Sequence, residues 1–117
     1  MFKRGTLYWV KLDPIEGSEI GKRRPAVIMS NDINNQFANT VTIVPITTST
    51  KKVYPFEVFI AKGVGNLKED SKVNANQIRT IDKKRIGEKI GTLPKDIIYE
   101  IEMAIKIHLG INRVLKN

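Results

Sequence analysis

The stretch PKDIIYEIEMAIKIHLG, residues 94–110, is where the apolar period of the chain changes from that of a strand to that of a helix. Apolar residues recur there at a spacing of three or four: Ile98, Ile101, Ile105 and Leu109. Pro94 stands where a helix can begin, and Gly110 stands where a helix commonly ends. The pattern predicts a helix over Lys95–Leu109 with one face directed to a core.

The chain before this helix is typical of short strands separated by turns. Alternating or continuous apolar runs predict strands at six places: Thr6–Leu12, Ala26–Ser30, Thr40–Pro45, Phe56–Ile60, Ser71–Ile81 and Lys89–Leu93. The segment Asp13–Arg24 contains Pro14, Gly17 and Gly21 and predicts a long, mobile loop. Asn31–Phe37 is polar and predicts a turn or a short helix. We expect a mainly β (α+β) fold, a small, strongly bent antiparallel barrel closed by one C-terminal α-helix.

Length and composition limit the class of protein. With 117 residues, of which 41% are hydrophobic, the chain fits a single domain, predicted over residues 1–111 and followed by a polar tail over residues 112–117. No apolar run approaches the roughly 18 residues that cross a bilayer, and the first residues have no apolar signal-peptide core. We therefore expect a cytoplasmic protein with no membrane partner.

The side chains available for chemistry are restricted. The chain has no cysteine, which excludes disulfides, thiolate catalysis and cysteine-ligated zinc. Its single histidine, His108, excludes a histidine–histidine acid–base pair within one subunit, and no carboxylates are suitably clustered around it. We expect neither a metal site nor a cofactor. Any catalysis must use the remaining charged and hydroxyl side chains, or a group on the substrate.

The charge of the chain indicates a polyanionic partner. Lysine and arginine number 20 against 12 aspartate and glutamate residues, so the net charge is +8. The sequence pI is near 9.8. Nucleic acid is the natural partner for such a protein, although an acidic protein would fit the same surface. A role in solubility alone is the alternative.

Several short motifs follow one another along the chain. They are GSEIGKRRP at residues 17–25, SND at 30–32, VPIT at 44–47 and NQIRTID at 76–82. With these motifs in this order, the chain resembles the MazF/PemK toxin family over about residues 4–111. The resemblance implies an SH3-like barrel with a C-terminal helix, a homodimer, and sequence-specific cleavage of single-stranded RNA. It also implies a type II toxin–antitoxin system, whose antitoxin places an acidic, flexible segment in the RNA groove.

The same resemblance implies the residues of the site. The catalytic arginine of the family falls on Arg24, and the catalytic threonine falls on Thr47. The positions that line the RNA site fall on Ser18, Glu19 and Gln77. Asn76 stands where several relatives carry an acidic residue. This difference bears on the RNA sequence that is preferred and not on the chemistry of cleavage. Family members cut without a metal and leave a 2′,3′-cyclic phosphate and a 5′-hydroxyl.

These residue types suit that chemistry. RNA carries its own nucleophile, the 2′-hydroxyl beside the scissile phosphate, so the enzyme must deprotonate it, stabilise added negative charge and protonate the leaving oxygen. The guanidinium of Arg24 is planar, always charged and matched to phosphate oxygens, so we expect charge stabilisation, with leaving-group protonation as a candidate second role. Glu19 is either the base or an ion-pair partner that aims Arg24. Thr47 either holds a non-bridging oxygen or relays a proton.

Simpler interpretations stay open from the sequence alone. Arg24 can be one more exposed cation beside Arg23, and Thr47 can satisfy a loop turn. A non-catalytic RNA-binding barrel, a ribosomal or translation-factor barrel, and the gyrase-poisoning relative of the same fold are the alternative functions. The last of these depends on a tryptophan and a glycine near the C-terminus, whereas the only tryptophan here is Trp9 and the chain ends in VLKN.

Overall fold

The computed structural model describes residues 1–111, and the polar tail predicted over residues 112–117 lies outside the described residues. Seven strands follow one another along the chain: β1 Thr6–Lys11, β2 Arg23–Ile28, β3 Thr40–Thr47, β4 Glu57–Ile60, β5 Ser71–Asn74, β6 Arg79–Asp82 and β7 Ile86–Thr92. Two α-helices accompany them: α1 Asp32–Phe37 and α2 Lys95–Leu109. The shorter helical turns are 3-10 turns: Val64–Asn66, Ala75–Gln77 and Lys83–Arg85. The prediction of a mainly β fold with a C-terminal helix is confirmed.

The strands form one antiparallel sheet in the order β4-β5-β3-β2-β1-β7, and β6 pairs with β3 beside this path. Strand β3 is paired along both edges, with β2 on one edge and with β6 and then β5 on the other. In the described part of the chain, the outer strands β4 and β7 do not pair with each other. The sheet is therefore bent and barrel-like without being a closed ring.

Both faces of the central strands are buried, which explains the continuous apolar run in β2. One face carries a core cluster that α2 closes, with members that include Leu7, Val27, Val44, Val73 and Ile101. The opposite face carries a second cluster, with members that include Val10, Ile28, Val41, Ile43 and Ile81. Because alternate residues of a strand point to opposite faces, Val27 enters the first cluster while Ala26 and Ile28 enter the second.

Helix α2 has the bounds that the sequence predicts. It begins after Pro94 and ends at Gly110, whose φ of 70° is the left-handed conformation that glycine adopts without strain. The amide of Gly110 donates to the carbonyl of Ile107 at 3.2 Å, and the amide of Ile111 donates to the carbonyl of Lys106 at 2.9 Å. These two bonds are those of a Schellman motif, which satisfies the last carbonyls of the helix. Among residues 1–111, neither helix has the length and apolarity that crossing a bilayer requires.

Strand β2 begins earlier than predicted. Its ladder with β1 continues to Val10↔Arg24 and Lys11↔Arg23, so the last two residues of the predicted loop Asp13–Arg24 belong to the strand and the prediction is wrong for them. Charged side chains give no apolar signal, but their backbone groups can extend a ladder as well as any others. Arg24 is consequently held by the sheet and not by a loop.

The strand predicted over Ser71–Ile81 is in fact two strands along one edge of β3, so that prediction is wrong in part. Strand β6 pairs with β3 up to Ile43, and β5 resumes the pairing at Ile46, three residues later. The segment paired with β3 advances by six residues over the same distance, from Val73 to Arg79. The 3-10 turn between β5 and β6 takes up the three extra residues and bulges out of the ladder.

Ile101 is fully buried where α2 packs on the first core cluster. We expect Ile101→Ala to lower the free energy of unfolding by about 2–5 kcal/mol, because it removes buried methylene and methyl groups and leaves a cavity. The matched control is Ile33→Ala in α1, where the side chain is 73% exposed; it should change that free energy by less than about 0.5 kcal/mol. Urea denaturation measures both values, and equal losses would contradict the packing role of α2.

Candidate active site

A cavity of about 370 Å³ opens where β1, β2 and β3 meet the segment 66–69. Arg24 and Thr47, which are distant in sequence, both line it. Other side chains of its wall are Trp9, Arg23, Pro25, Ile46, Asn66 and Lys68. The wall therefore combines cations with apolar and aromatic surface, as a site for a polyanion with flat bases would.

The register between β2 and β3 explains why Arg24 and Thr47 share this cavity. The paired ladder ends at Ala26↔Pro45, and the same register extended by two residues would bring Arg24 across from Thr47. Residues that face each other in an antiparallel pair project from the same side of the sheet. The guanidinium and the hydroxyl therefore leave neighbouring strand ends on one face.

The guanidinium of Arg24 is half-buried and anchored through one nitrogen. Its Nε donates to the carbonyl of Gly21 at 3.1 Å, in the loop that joins β1 to β2. A Cβ at Gly21 would stand 2.5 Å from the Asp13 carboxylate and 2.8 Å from the side chain of Ile15, so those two side chains would have to move to admit one. Within residues 1–111, the terminal nitrogens of Arg24 make no hydrogen bond to protein. They are thus available for a phosphate.

Arg23 occupies a different environment from Arg24, since it is exposed and its guanidinium lies 4.7 Å from the centre of the Trp9 ring. This contact is a cation–π interaction that covers the indole with positive charge. A second cavity of about 480 Å³ adjoins it, and its basic lining residues are Lys11, Lys22, Arg23, Lys84 and Arg85. Basic surface therefore continues outward from the first cavity. Arg23 is thus more exposed to solvent than Arg24.

Thr47 is bonded to a group of polar residues that the sequence pattern did not single out. Its Oγ1 donates to Oδ1 of Asn74 at 3.3 Å. Nδ2 of Asn74 donates to Glu57 Oε2 at 2.6 Å, and Lys72 Nζ donates to Glu57 Oε1 at 2.9 Å. We call Glu57, Lys72 and Asn74 the support group. The signal that could have revealed two of them is the pair of polar residues at positions 72 and 74, on either side of Val73, in a strand whose residues are all buried.

Ser18 and Glu19 lie in the loop between β1 and β2, and both are exposed. The Glu19 carboxylate accepts from the backbone amide of Glu16 at 2.8 Å, a bond within its own loop. Neither residue lines the cavity that holds Arg24. The ion pairs within residues 1–111 do not join Glu19 to Arg24, so the alternative in which Glu19 aims the guanidinium by pairing with it is not what the structure has.

Asn76 and Gln77 belong to the 3-10 turn that bulges from the edge of β3. Asn76 is exposed, whereas Gln77 is half-buried and its Oε1 accepts from the backbone amide of Ile20 at 3.2 Å. Neither lines the cavity. Ile20 precedes Gly21, whose carbonyl anchors Arg24, so Gln77 fastens the loop at the point that positions the guanidinium.

Two further kinds of group, metal-binding clusters and the buried Tyr8 hydroxyl, bear on what chemistry this part of the protein can perform. Over residues 1–111, no three His, Cys, Asp or Glu side chains come close enough together to hold a metal ion. Burial raises the pKa of the Tyr8 hydroxyl, which stays protonated at neutral pH. Tyr8 packs against the second core cluster, edge-on to Phe2 with ring centres 5.1 Å apart. Of the residues that line the cavity, Arg24 and Thr47 are those that the sequence singled out, while Lys68, Glu69 and Ser71 add further charged and hydroxyl groups to its wall.

Comparison with known proteins identifies the family to which this geometry belongs. A family model described as the PemK-like, MazF-like toxin of type II toxin–antitoxin systems matches residues 3–109. The chain is 38% identical over 116 residues to endoribonuclease MazF9 of Mycobacterium tuberculosis, covering 95% of this chain and 98% of that protein. It is 41% identical over 113 residues to endoribonuclease MazF of Staphylococcus epidermidis, covering 96% and 94%.

Solved structures of MazF proteins share the fold of this chain. MazF from Deinococcus radiodurans aligns with a TM-score of 0.82 and 30% identity, over 93% of this chain and 96% of that one. The MazE–MazF complex of the same organism aligns with a TM-score of 0.75 and 29% identity, over 94% and 96%. An endoribonuclease from a mycobacterial species, in complex with its cognate antitoxin, shares the fold with a TM-score of 0.79 and 24% identity, over 96% and 98%. The chain therefore belongs to the family of PemK-like, MazF-like toxins of type II toxin–antitoxin systems.

Proposed function

We propose that this protein is the toxin of a type II toxin–antitoxin system and an endoribonuclease that cuts single-stranded RNA at specific sequences, without a metal ion or a cofactor. The observation that carries the proposal is the meeting of Arg24 and Thr47 in one cavity, in a chain whose relatives are named endoribonucleases. The net charge of +8 supports a nucleic-acid substrate, because phosphate contacts supply most of the affinity for such ligands.

The proposed reaction is a transesterification within the RNA. The 2′-oxygen forms a bond to the adjacent phosphorus while the bond from phosphorus to the 5′-oxygen breaks, which leaves a 2′,3′-cyclic phosphate and a 5′-hydroxyl. The proton of the 2′-hydroxyl passes to a base, and the 5′-oxygen gains a proton. The terminal nitrogens of Arg24 stabilise the charge that grows on the phosphoryl oxygens, and they are candidate donors to the 5′-oxygen.

Glu19 is the candidate base, and this role requires a movement. Its carboxylate is bonded to the amide of Glu16 outside the cavity, so the loop between β1 and β2 must close over the RNA before Glu19 can reach the 2′-hydroxyl. The same movement would bring Ser18 to the RNA. Asn76 and Gln77, on the turn beside this loop, would contact the bases and influence the sequence that is cut.

We further propose that the toxin works as a homodimer in the cytoplasm and is inhibited by an antitoxin with an acidic, flexible segment. Solved relatives form complexes with their antitoxins, which supports such a partner here. An acidic segment and RNA would compete for the same cations, because both are polyanions.

Purified protein incubated with a long RNA of mixed sequence in excess chelator should produce discrete fragments, since the proposed reaction needs no Lewis acid. End mapping should find cyclic phosphates on the upstream fragments and 5′-hydroxyls on the downstream fragments. Binding without cleavage would indicate a non-catalytic RNA-binding barrel, and cleavage only after magnesium is added would overturn the metal-independent reaction.

Arg24→Ala should reduce the single-turnover cleavage rate by about 10²–10³, because it removes a donor that stabilises charge in the transition state. Arg24→Lys should recover only part of the rate, since an ammonium lacks the planar fork of a guanidinium. Arg23→Ala is the matched control, which removes the same charge one residue away and should lower the rate far less. Equal losses of rate in the two alanine variants would show that Arg24 contributes only positive charge and makes no specific contact in the transition state.

Sedimentation equilibrium should give twice the chain mass of 13.3 kDa.

An acidic peptide copied from the cognate antitoxin should inhibit cleavage in competition with RNA, and raising the salt concentration from about 50 to about 200 mM should weaken the binding of both ligands. The control is the same peptide with its carboxylates replaced by amides. Inhibition by this neutral peptide at the same concentration would exclude charge competition.

A further inference from the structure

Four polar side chains on β3, β4 and β5 share one face of the sheet. Thr47 lies opposite Lys72, and Glu57 lies opposite Asn74. Paired residues project from the same side, and so do positions 72 and 74, which are two apart in one strand. The support group therefore stands next to the Thr47 hydroxyl by register, and this is the face from which Arg24 also projects.

The ion pair within the support group is almost removed from water. The side chain of Glu57 is 5% exposed and that of Lys72 is 11% exposed. The segment between β3 and β4 covers them, because Lys72 Nζ donates to the carbonyl of Lys52 at 2.7 Å and the amide of Tyr54 donates to Glu57 Oε1 at 2.9 Å. Burying two charges has a desolvation cost that offsets much of their attraction, so this pair is not explained by stability alone.

The carboxylate of Glu57 decides which way the Asn74 amide points. A carboxylate paired with a lysine only accepts hydrogen bonds, so the group of Asn74 at 2.6 Å from Glu57 Oε2 must be the NH₂. The carbonyl oxygen Oδ1 then faces Thr47 Oγ1 at 3.3 Å. An amide oxygen cannot donate, and the Thr47 hydroxyl therefore gives its one proton to Asn74.

We infer that Asn74 is a positioning residue, held by the Glu57–Lys72 pair, that makes Thr47 a hydrogen-bond acceptor toward the RNA. With its proton committed, Thr47 offers only lone pairs to a ligand in the cavity that it lines together with Arg24. The RNA group that donates there before the reaction is the 2′-hydroxyl of the scissile nucleotide, whose oxygen this bond would orient toward phosphorus. When the loop between β1 and β2 closes, the one proton of that hydroxyl passes from its bond with Thr47 to the base. Thr47 thus orients the nucleophile and does not hold a non-bridging phosphate oxygen, which would need a donor. This inference rests on the proposed ribonuclease function.

A double-mutant cycle separates positioning through Thr47 from a structural effect. Asn74→Leu should lower the single-turnover rate at saturating RNA by about three- to tenfold, the value of one hydrogen bond. In a Thr47→Val background, the same substitution should have no further effect. A loss of equal size in both backgrounds would overturn the inference, because Asn74 would then act independently of the threonine hydroxyl.

Two further variants control for loss of a hydroxyl elsewhere on β3 and for failure of the leucine variant to fold. Thr42→Val removes a hydroxyl from the same strand at an exposed Thr42–Thr80 contact, away from the cavity, and should leave the rate unchanged. Asn74→Ser is the second variant if the leucine does not fold, since serine is too short to join Thr47 to Glu57. Absence of cleavage by the unsubstituted protein would refute the ribonuclease proposal itself, whereas cleavage with additive losses would refute only the role of Asn74.

A binding measurement tests the acceptor directly. In Arg24→Ala protein, which should cut slowly, RNA should bind several-fold more tightly than the same RNA with a 2′-deoxyribose at the scissile nucleotide. Thr47→Val should abolish this difference, and Asn74→Leu should reduce it. An unchanged preference for the ribose in the Thr47→Val protein would show that another group accepts from the 2′-hydroxyl.

Discussion

Strand β3 is the element on which the rest of the structure depends, because it is hydrogen-bonded along both edges and buried on both faces. Val44 and Ile46 enter the first core cluster, while Val41 and Ile43 enter the second. A strand in this position cannot slip, since a shift of one residue would turn each side chain to the wrong face. Thr47, the last residue of β3, takes its position from that register.

Arg24 reaches the same cavity by a less rigid route. Its backbone is held by the ladder opposite Val10, and its side chain is held by the carbonyl of Gly21. That carbonyl belongs to a loop that Gln77 fastens at the amide of Ile20. The guanidinium therefore depends on the turn produced by the register shift along β3, and movement of the loop would change its surroundings. A fixed hydroxyl and an adjustable cation would suit the closure of the loop over RNA that we propose.

The positive charge of the protein is used in two different ways. Lys11, Lys22, Arg23 and Lys84 around the second cavity are exposed to solvent, where they attract polyanions at little cost to the fold. Lys72 is instead buried against Glu57, in a position that an apolar residue of similar volume could fill with less desolvation. What apolar residues could not do is fix the orientation of the Asn74 amide, and through it the direction of the Thr47 hydroxyl. In this way the buried Glu57–Lys72 pair fixes the hydrogen bonding of a residue that lines the candidate site.

The local sequence pattern was enough to predict part of the fold and the family. The spacing of isoleucines between Pro94 and Gly110 predicted α2 with its correct bounds, and the order of short motifs predicted the family, which the family model confirms. The same motifs predict Arg24 and Thr47 as the catalytic pair. These features depend on neighbouring residues, so they can be read along the chain.

Other features depend on partners that are distant in sequence. The extension of β2 to Arg23 depends on β1, and the break between β5 and β6 depends on the register of β3. The bond from Thr47 to Asn74 joins residues 27 positions apart, and the bond from Asn74 to Glu57 joins residues 17 apart. The sequence by itself determined which groups are present, whereas only the tertiary structure decided which of them face one another, because strand register brings together side chains that no local pattern relates.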